Sequence, residues 1–162
     1  MGSSLKRPFL LCHPGFTYAE ILVALAIFSI LAAVAIPTWI ILLPTYSLNS
    51  AARQIQSELN RIKMQAIAEN VTFRLAFSDT ADNYSVERVA GTTTTQRGTK
   101  PLPDGIDIRN AITLGFTSHG TATPGTGGTV KLCNSRGAGT NVVLSSTGRV
   151  RVCKTSACDG TC

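Results

Sequence analysis

The chain has 162 residues, which is room for one folded domain and an appendage but excludes a large multidomain protein. A hydrophobic content of 44% is ordinary for a folded chain, and 15 Lys and Arg against 9 Asp and Glu give a net charge of +6. The apolar residues are concentrated near the amino terminus, whereas the rest is rich in Thr, Gly, Asn and Ser, so the sequence predicts two differently solvated parts.

The first predicted element is an apolar helix. The segment 21–43 carries no charge and reaches the roughly 20 residues that a helix needs to cross a bilayer core. Lys6 and Arg7 precede it, and positive charge beside the first segment usually stays in the cytoplasm. Pro37 and Pro44 each remove a backbone donor and are expected to kink or break the helix. The sequence therefore predicts one membrane-spanning helix, with the rest of the chain in the periplasm or outside the cell.

A polar hinge precedes the apolar segment. An ordinary secretory signal has its small-x-small cleavage site after the apolar region. Here the hinge Cys12-His13-Pro14-Gly15 comes first. Cleavage after Gly15 would keep the apolar segment and make Phe16 the new amino terminus.

The apolar helix begins with the residues GFTYAEILVALAIFSILAAVAIP, from Gly15 to Pro37. They closely resemble the processing site and first helix of type IV pilins and type II secretion pseudopilins. This resemblance implies that a prepilin peptidase cuts after Gly15 and methylates Phe16. It also implies a single-pass protein of the inner membrane, with its carboxy-terminal domain in the periplasm, that joins other pilin or pseudopilin subunits in an envelope filament.

Glu20 is an acid within the apolar helix, at the fifth position of the processed chain. An ionised carboxylate in a membrane costs roughly several kcal/mol unless it is paired, which makes Glu20 a functional candidate. The resemblance implies that Glu20 neutralises the terminal amine at Phe16 of a neighbouring subunit during assembly. The alternative is a glutamate that snorkels to the membrane interface, and both could hold in turn.

Beyond Pro44 the pattern becomes that of an amphipathic helix. Apolar residues recur at alternating spacings of four and three, namely Leu48, Ala52, Ile55, Leu59, Ile62 and Ala66. We expect this stripe to pack on the protein's own sheet, with a seam against a partner subunit as the alternative.

The remainder of the chain predicts β-structure. Strands are predicted at 71–77, 84–89, 106–109, 112–116, 130–133, 141–145 and 149–153. The first two should form a hairpin and the last three a meander. The segments 91–103 and 121–128 have little apolar content and are predicted to be exposed loops.

One long helix followed only by strands predicts an α+β fold, in which the amphipathic half of the helix covers an antiparallel sheet. The predicted organisation is a leader at 1–15, a transmembrane and assembly helix at 16–45 and a periplasmic pilin-like domain at 46–162.

A second resemblance lies near the carboxy terminus. The segment GTVKLCNSRGAGTNVVLSSTGRVRV, from Gly128 to Val152, resembles the GspH/FimT branch of pseudopilins and minor pilins. GspH-like members sit near the tip of the type II secretion pseudopilus, and FimT-like members belong to type IV pili. Some FimT-like proteins bind DNA during natural transformation through a Gly-Arg-x-Arg motif, which Gly148-Arg149-Val150-Arg151 matches. The resemblance leaves open a type II secretion system, a type IV pilus or a competence pilus.

The end of the chain is basic. Between Lys131 and Cys162 five Lys or Arg oppose one acid, a net charge of +4. Arg149 and Arg151, two apart on a strand, should point the same way and, with Gly148 and Lys154, are the candidate DNA-binding residues. Contacts to phosphates would be independent of base sequence and strongly salt-dependent. The alternative is an ordinary solvated strand face, and no aromatic residue lies nearby in the sequence to stack on bases.

Four cysteines remain once Cys12 leaves with the leader, namely Cys133, Cys153, Cys158 and Cys162. An even count in an extracytoplasmic domain favours two disulfides, and the spacing lacks the paired CxxC of a zinc site. In the predicted meander the first and third strands lie about 9.5 Å apart, which disfavours a Cys133–Cys153 bridge. We expect Cys133 to bond to Cys158 or Cys162, and Cys153 to take the other.

An enzyme is the competing class of function. The processed chain would hold one histidine, His119, in a Gly/Thr-rich loop, without a nucleophile motif, phosphate loop or metal cluster. The sequence therefore predicts no enzyme and no cofactor. A third hypothesis is a single-pass anchored periplasmic domain whose amino terminus is not cleaved.

Overall fold

The structure, a computed structural model, describes residues 16–162 apart from the side chains of Pro37, Thr38, Ile40 and Ile41. The predicted leader, with Cys12 and Gly15, lies outside the described residues. The chain divides into two compact units between Trp39 and Ile40. The elements are α1 Tyr18–Glu69, β1 Thr72–Ser78, β2 Asn83–Ala90, β3 Thr93–Pro101, β4 Ile106–Ile108, β5 Ile112–Phe116, β6 Gly128–Asn134, β7 Gly139–Leu144 and β8 Val150–Thr155.

Helix α1 continues through both prolines, so the expected break at Pro37 or Pro44 is wrong. A proline removes one backbone donor, but its fixed φ of about −65° is compatible with a helix. Helix α1 is therefore kept as one element, Tyr18–Glu69. The first part of α1, Tyr18–Ile36, is 19 residues long, and the rest of the described chain does not bury it. By length and composition it is apolar enough to cross a membrane.

The predicted apolar stripe of α1 forms one wall of the core, as expected. All six of its residues are at most 3% exposed: Leu48, Ala52, Ile55, Leu59, Ile62 and Ala66. They form one cluster with buried side chains of the strands, among them Phe73, Leu75, Leu114, Leu132 and Val142. The helix therefore covers the β-structure, as its periodicity predicts.

The eight strands form two antiparallel sheets rather than one. The first has the order β3-β2-β1-β5 and the second the order β4-β6-β7-β8. The predicted hairpin is β1-β2 and the predicted meander is β6-β7-β8. A side-chain bond helps to join the sheets, because Asp82, in the turn after β1, accepts a hydrogen bond from the Ile108 N–H at 2.8 Å.

Strand β3 corrects the prediction of a loop over 91–103. It pairs with β2 along its length, and all nine of its residues are exposed. A strand with both faces in solvent shows no apolar alternation, which is the signal that strand prediction uses. Its threonines nevertheless favour extended backbone, and Gly91, at φ 61°, makes the preceding turn.

Two disulfides fix the tail after β8. Cys133 bonds to Cys158 and Cys153 to Cys162, with Cα separations of 5.1 and 6.2 Å. This is one of the two pairings expected from the strand order, since β7 lies between β6 and β8. The tail also accepts a hydrogen bond at the Gly160 carbonyl from the buried Asn141 side chain, at 2.7 Å. The tail is therefore packed on the second sheet.

Candidate functional site

Strand pairing sorts the side chains of the second sheet into two faces, because residues directly opposite in neighbouring strands share a face. The inner face packs on α1 and is buried; it contains Val130, Leu132, Val142 and Leu144. The outer face carries the disulfide-bonded tail, since Asn141 is opposite Cys153.

Arg149 and Arg151 lie on the outer face. Arg151 is opposite Val143, and Arg149 lies two residues earlier, where its carbonyl accepts a hydrogen bond from the Ser145 N–H at 3.0 Å. Lys131 is opposite Asn141 and therefore shares this face. We call Lys131, Arg149 and Arg151 the outer basic face; both arginines are exposed and Lys131 is half-buried.

Lys154 does not join the outer basic face. It is opposite Thr140, which is opposite the buried Leu132, so its side chain lies on the inner side at the edge of the sheet. The structure therefore brings Arg149 and Arg151 together, separates Lys154 from them and adds Lys131. Lys131 is 18 residues from Arg149 in the sequence, and only the strand register could have linked them.

Gly148 shapes the turn that presents Arg149. Its N–H donates to the Ser145 carbonyl at 2.9 Å, and its φ of 78° is in the left-handed region that favours glycine. A Cβ atom at position 148 would overlap the carbonyl oxygen of Gly120. The Gly148 carbonyl in turn accepts a hydrogen bond from the Lys63 ammonium at 2.9 Å. The glycine of the Gly-Arg-x-Arg motif thus has a structural role.

Four other cations of the domain are paired with carboxylates. Arg61 and Lys100 both contact the nearly buried Glu58, and the hydrogen bond from Arg61 is the main cause that lowers the pKa of this carboxyl. Glu69 pairs with Arg88 and Arg97, at 2.7 and 3.6 Å.

The outer basic face has no such ion pair, a property that it shares with six other cations of the described residues, namely Arg53, Lys63, Arg74, Arg109, Arg136 and Lys154. Within residues 16–162, no carboxylate forms an ion pair with Lys131, Arg149 or Arg151. Its three charges are therefore available to an anionic ligand.

Glu20 has a local role that the sequence analysis missed. Its carboxylate accepts hydrogen bonds from the Thr17 N–H at 2.9 Å and the Thr17 hydroxyl at 3.0 Å. The Glu20 N–H donates to the Thr17 hydroxyl at 3.3 Å, which completes a capping box at the start of α1. The spacing Thr-x-x-Glu was visible in the sequence. Phe16, directly before this cap, is 86% exposed.

The described residues offer little for catalysis. Residues 16–162 contain no group of three or more His, Cys, Asp or Glu side chains that could hold a metal ion. All four cysteines of the described residues are in disulfides, so none of these four is a free thiol for zinc. His119 is exposed in a turn.

Comparison with known families decides the class of protein. The family model described as "Type II transport protein GspH" matches residues 51–148, more than half of the chain. The chain belongs to the GspH family. It is a type IV pilin-like protein of the GspH/FimT branch, and a structural subunit rather than an enzyme.

Solved structures of similar fold agree with the GspH family. The type IV minor pilin FimU of Pseudomonas aeruginosa is 19% identical, with a TM-score of 0.56 over 70% of this chain and 96% of that one. The minor pseudopilin EpsH from the Type 2 Secretion System of Vibrio cholerae is 13% identical, with a TM-score of 0.57 over 67% and 97%. A search of curated protein sequences finds no match.

The chain is thus a minor pilin or pseudopilin of a type II secretion system or a type IV pilus, and its family implies assembly with other pilin subunits. Its apolar amino-terminal helix fits a periplasmic protein anchored in the inner membrane.

Proposed function

We propose that the chain is made as a precursor, cut by a prepilin peptidase between Gly15 and Phe16, methylated at Phe16 and assembled into an envelope filament. Before assembly the apolar helix holds it in the inner membrane, with the carboxy-terminal domain in the periplasm. The observation that carries this proposal is GspH-family membership in a chain whose apolar segment Tyr18–Ile36 starts directly after the proposed cut. The cap at Thr17 supports it, because α1 then begins beside the new amino terminus.

Processing is tested by mass spectrometry of the protein isolated from membranes. We expect a methylated amino terminus at Phe16 in the wild-type chain, and an uncut leader in Gly15→Val, because a branched side chain at the cut should block the peptidase. Gly2→Val, a matched change within the leader, should be processed normally. An amino terminus at Met1, or one after Pro37, would contradict the proposal, and the former would favour the uncleaved anchored domain.

A second candidate function is DNA binding, and the outer basic face is the observation that favours it. Its three cations have no carboxylate partner in the described part of the chain. Two exposed guanidinium groups on one strand face can each bind a phosphate through paired donors. Each phosphate contact releases condensed counterions, so the affinity would fall steeply with salt.

This candidate predicts a measurable salt dependence. We expect the full chain in detergent to bind duplex DNA, and Arg149→Gln with Arg151→Gln to reduce the slope of log K against log salt by up to about two units. Lys154→Gln is the control, because Lys154 lies on the inner side of the same strand and should leave the slope unchanged. No binding by the wild-type chain at low salt, or an unchanged slope in the double variant, would contradict DNA binding.

A further inference from the structure

The core is open beside strand β8, at one edge of the second sheet. Val142 of β7 is fully buried, but Val152, which is opposite it on β8, is 36% exposed. Between β8 and α1 lies an open cleft of about 690 Å³. We call it the edge cleft; its lining residues are Tyr46, Asn49, Ser50, Arg53, Gln56, Val152 and Lys154.

The backbone of β8 presents unused hydrogen-bonding groups to this cleft. The Ser145 N–H donates a hydrogen bond to the Arg149 carbonyl, so Ser145 and Arg149 are a hydrogen-bonded pair. In an antiparallel ladder, hydrogen-bonded pairs alternate with pairs that are not hydrogen-bonded, and this one bond therefore sets the pattern along β8. By this alternation, the N–H and C=O groups of Val150, Val152 and Lys154 point away from β7. Within the described residues β8 pairs with β7 alone, so this edge is free to accept another strand.

Two cations flank the edge cleft without a partner. Arg53 and Lys154 are both exposed, and neither forms an ion pair with a carboxylate of residues 16–162. Arg61, two turns further along α1, is by contrast paired with Glu58. The cleft therefore combines a free strand edge, apolar surface at Val152 and Tyr46, and positive charge.

We propose that the edge cleft receives an extended acidic segment of a different pilin-type subunit. The segment adds to β8 as a fifth strand of the second sheet, covers Val152 and Tyr46, and places a carboxylate between Arg53 and Lys154. The inference rests on the proposed function, since it names a docking site for the assembly that function requires.

The chemistry favours this occupant over two others. A second copy of the chain would offer the edge strands β3, β4, β5 and β8. Of these, β3, β5 and β8 contain no Asp or Glu that could pair with the two cations, and β4 is only three residues long. A nucleic acid would satisfy the cations, but its backbone lacks the alternating donors and acceptors that match a strand edge.

Photocrosslinking in cells that assemble the filament tests the proposal. A benzophenone amino acid is placed in the full chain at position 46, at position 152 or, as the control, at position 151 on the outer face. We expect positions 46 and 152 to link to the same acidic segment of another pilin-type subunit, and position 151 not to link to it. Adducts with a second copy, adducts with nucleic acid, or no adduct at 46 and 152 would overturn the proposal.

Two variants test the charges and the strand edge separately. Arg53→Glu with Lys154→Glu should reduce the adduct by about tenfold or more, because it opposes the partner's acid with like charge. Arg109→Glu with Arg136→Glu makes the same change at two exposed sites away from the cleft and should leave the adduct unchanged.

Val152→Pro should also reduce the adduct, because it removes an outward N–H, whereas Val152→Ala keeps that donor and should retain most of the adduct. Thermal unfolding shows whether each variant folds. If Val152→Pro does not fold, the variant with Arg53→Glu and Lys154→Glu still tests the proposal. Equal adducts in wild type and the charge-reversed variant would overturn the proposal. An amino terminus at Met1, or a chain absent from filaments, would instead refute the proposed function.

Discussion

Glu20→Val is expected to leave leader removal and membrane insertion intact and to reduce incorporation into filaments by about a hundredfold or more. The proposed partner of Glu20 is the terminal amine of a neighbouring subunit in a dry environment. Removing one member of a buried ion pair costs about 3–5 kcal/mol, because the other charge stays buried and unpaired. The measurement is the ratio of processed chain in sheared, purified filaments to chain in the membrane.

Two further variants separate the charge of Glu20 from its capping role. Glu20→Gln keeps an oxygen that can accept from the Thr17 N–H, but it has no charge. Thr17→Ala removes the capping hydroxyl and keeps the carboxylate. If the charge matters for assembly, Glu20→Gln fails like Glu20→Val, and Thr17→Ala assembles. The opposite pattern, or normal incorporation of Glu20→Val, would show that no such ion pair is needed.

Gly148→Ala is expected to lower the stability of the domain by about 2–5 kcal/mol, or roughly 5–15 °C in melting temperature. Two costs combine here: a left-handed backbone that alanine disfavours, and overlap with the Gly120 carbonyl. The measurement is thermal unfolding of the full chain in detergent.

Gly137→Ala is the matched control for this change. Gly137 has nearly the same φ, 81°, but an added Cβ there would meet open space. It should therefore lose only the backbone contribution, about 1–2 kcal/mol. Equal losses in the two variants would show that the contact with Gly120 contributes nothing.

The helix, the hairpin and the meander were predictable because their signals are local. The spacing from Leu48 to Ala66 identifies the buried side of α1, and the alternation at 71–77 identifies the face that β1 buries. Strand order also disfavoured a Cys133–Cys153 bridge, although it left open which of Cys158 and Cys162 bonds to Cys133. That order was itself local, because β6, β7 and β8 are consecutive in the sequence and in the sheet.

The errors arose where the signal was weak or non-local. β3 has no buried face, so its sequence lacks the alternation of apolar and polar residues that identifies a strand and reads instead as a loop. The division into two sheets depends on β5 pairing with β1, across the intervening β2, β3 and β4, which no local pattern encodes. The proline rule overestimated a break, because the lost hydrogen bonds at Pro37 and Pro44 are a small part of a 52-residue helix.

The candidate site was only partly predictable for the same reason. Alternation along one strand correctly places Arg149 and Arg151 together. The inner position of Lys154 and the outer position of Lys131 depend on pairing with β7. Tyr46 lies more than a hundred residues before Lys154 in the sequence, yet both line the edge cleft.

The exposed strand β3 bears on how separate copies of the subunit avoid pairing with each other. A long free strand edge is a hazard for uncontrolled aggregation, and charged side chains along it oppose self-pairing. β3 carries Arg97 and Lys100, whose side chains are held towards α1 by Glu69 and Glu58. These charged side chains, held by ion pairs on the side of α1, therefore oppose pairing of the β3 edge with the edge strand of another copy.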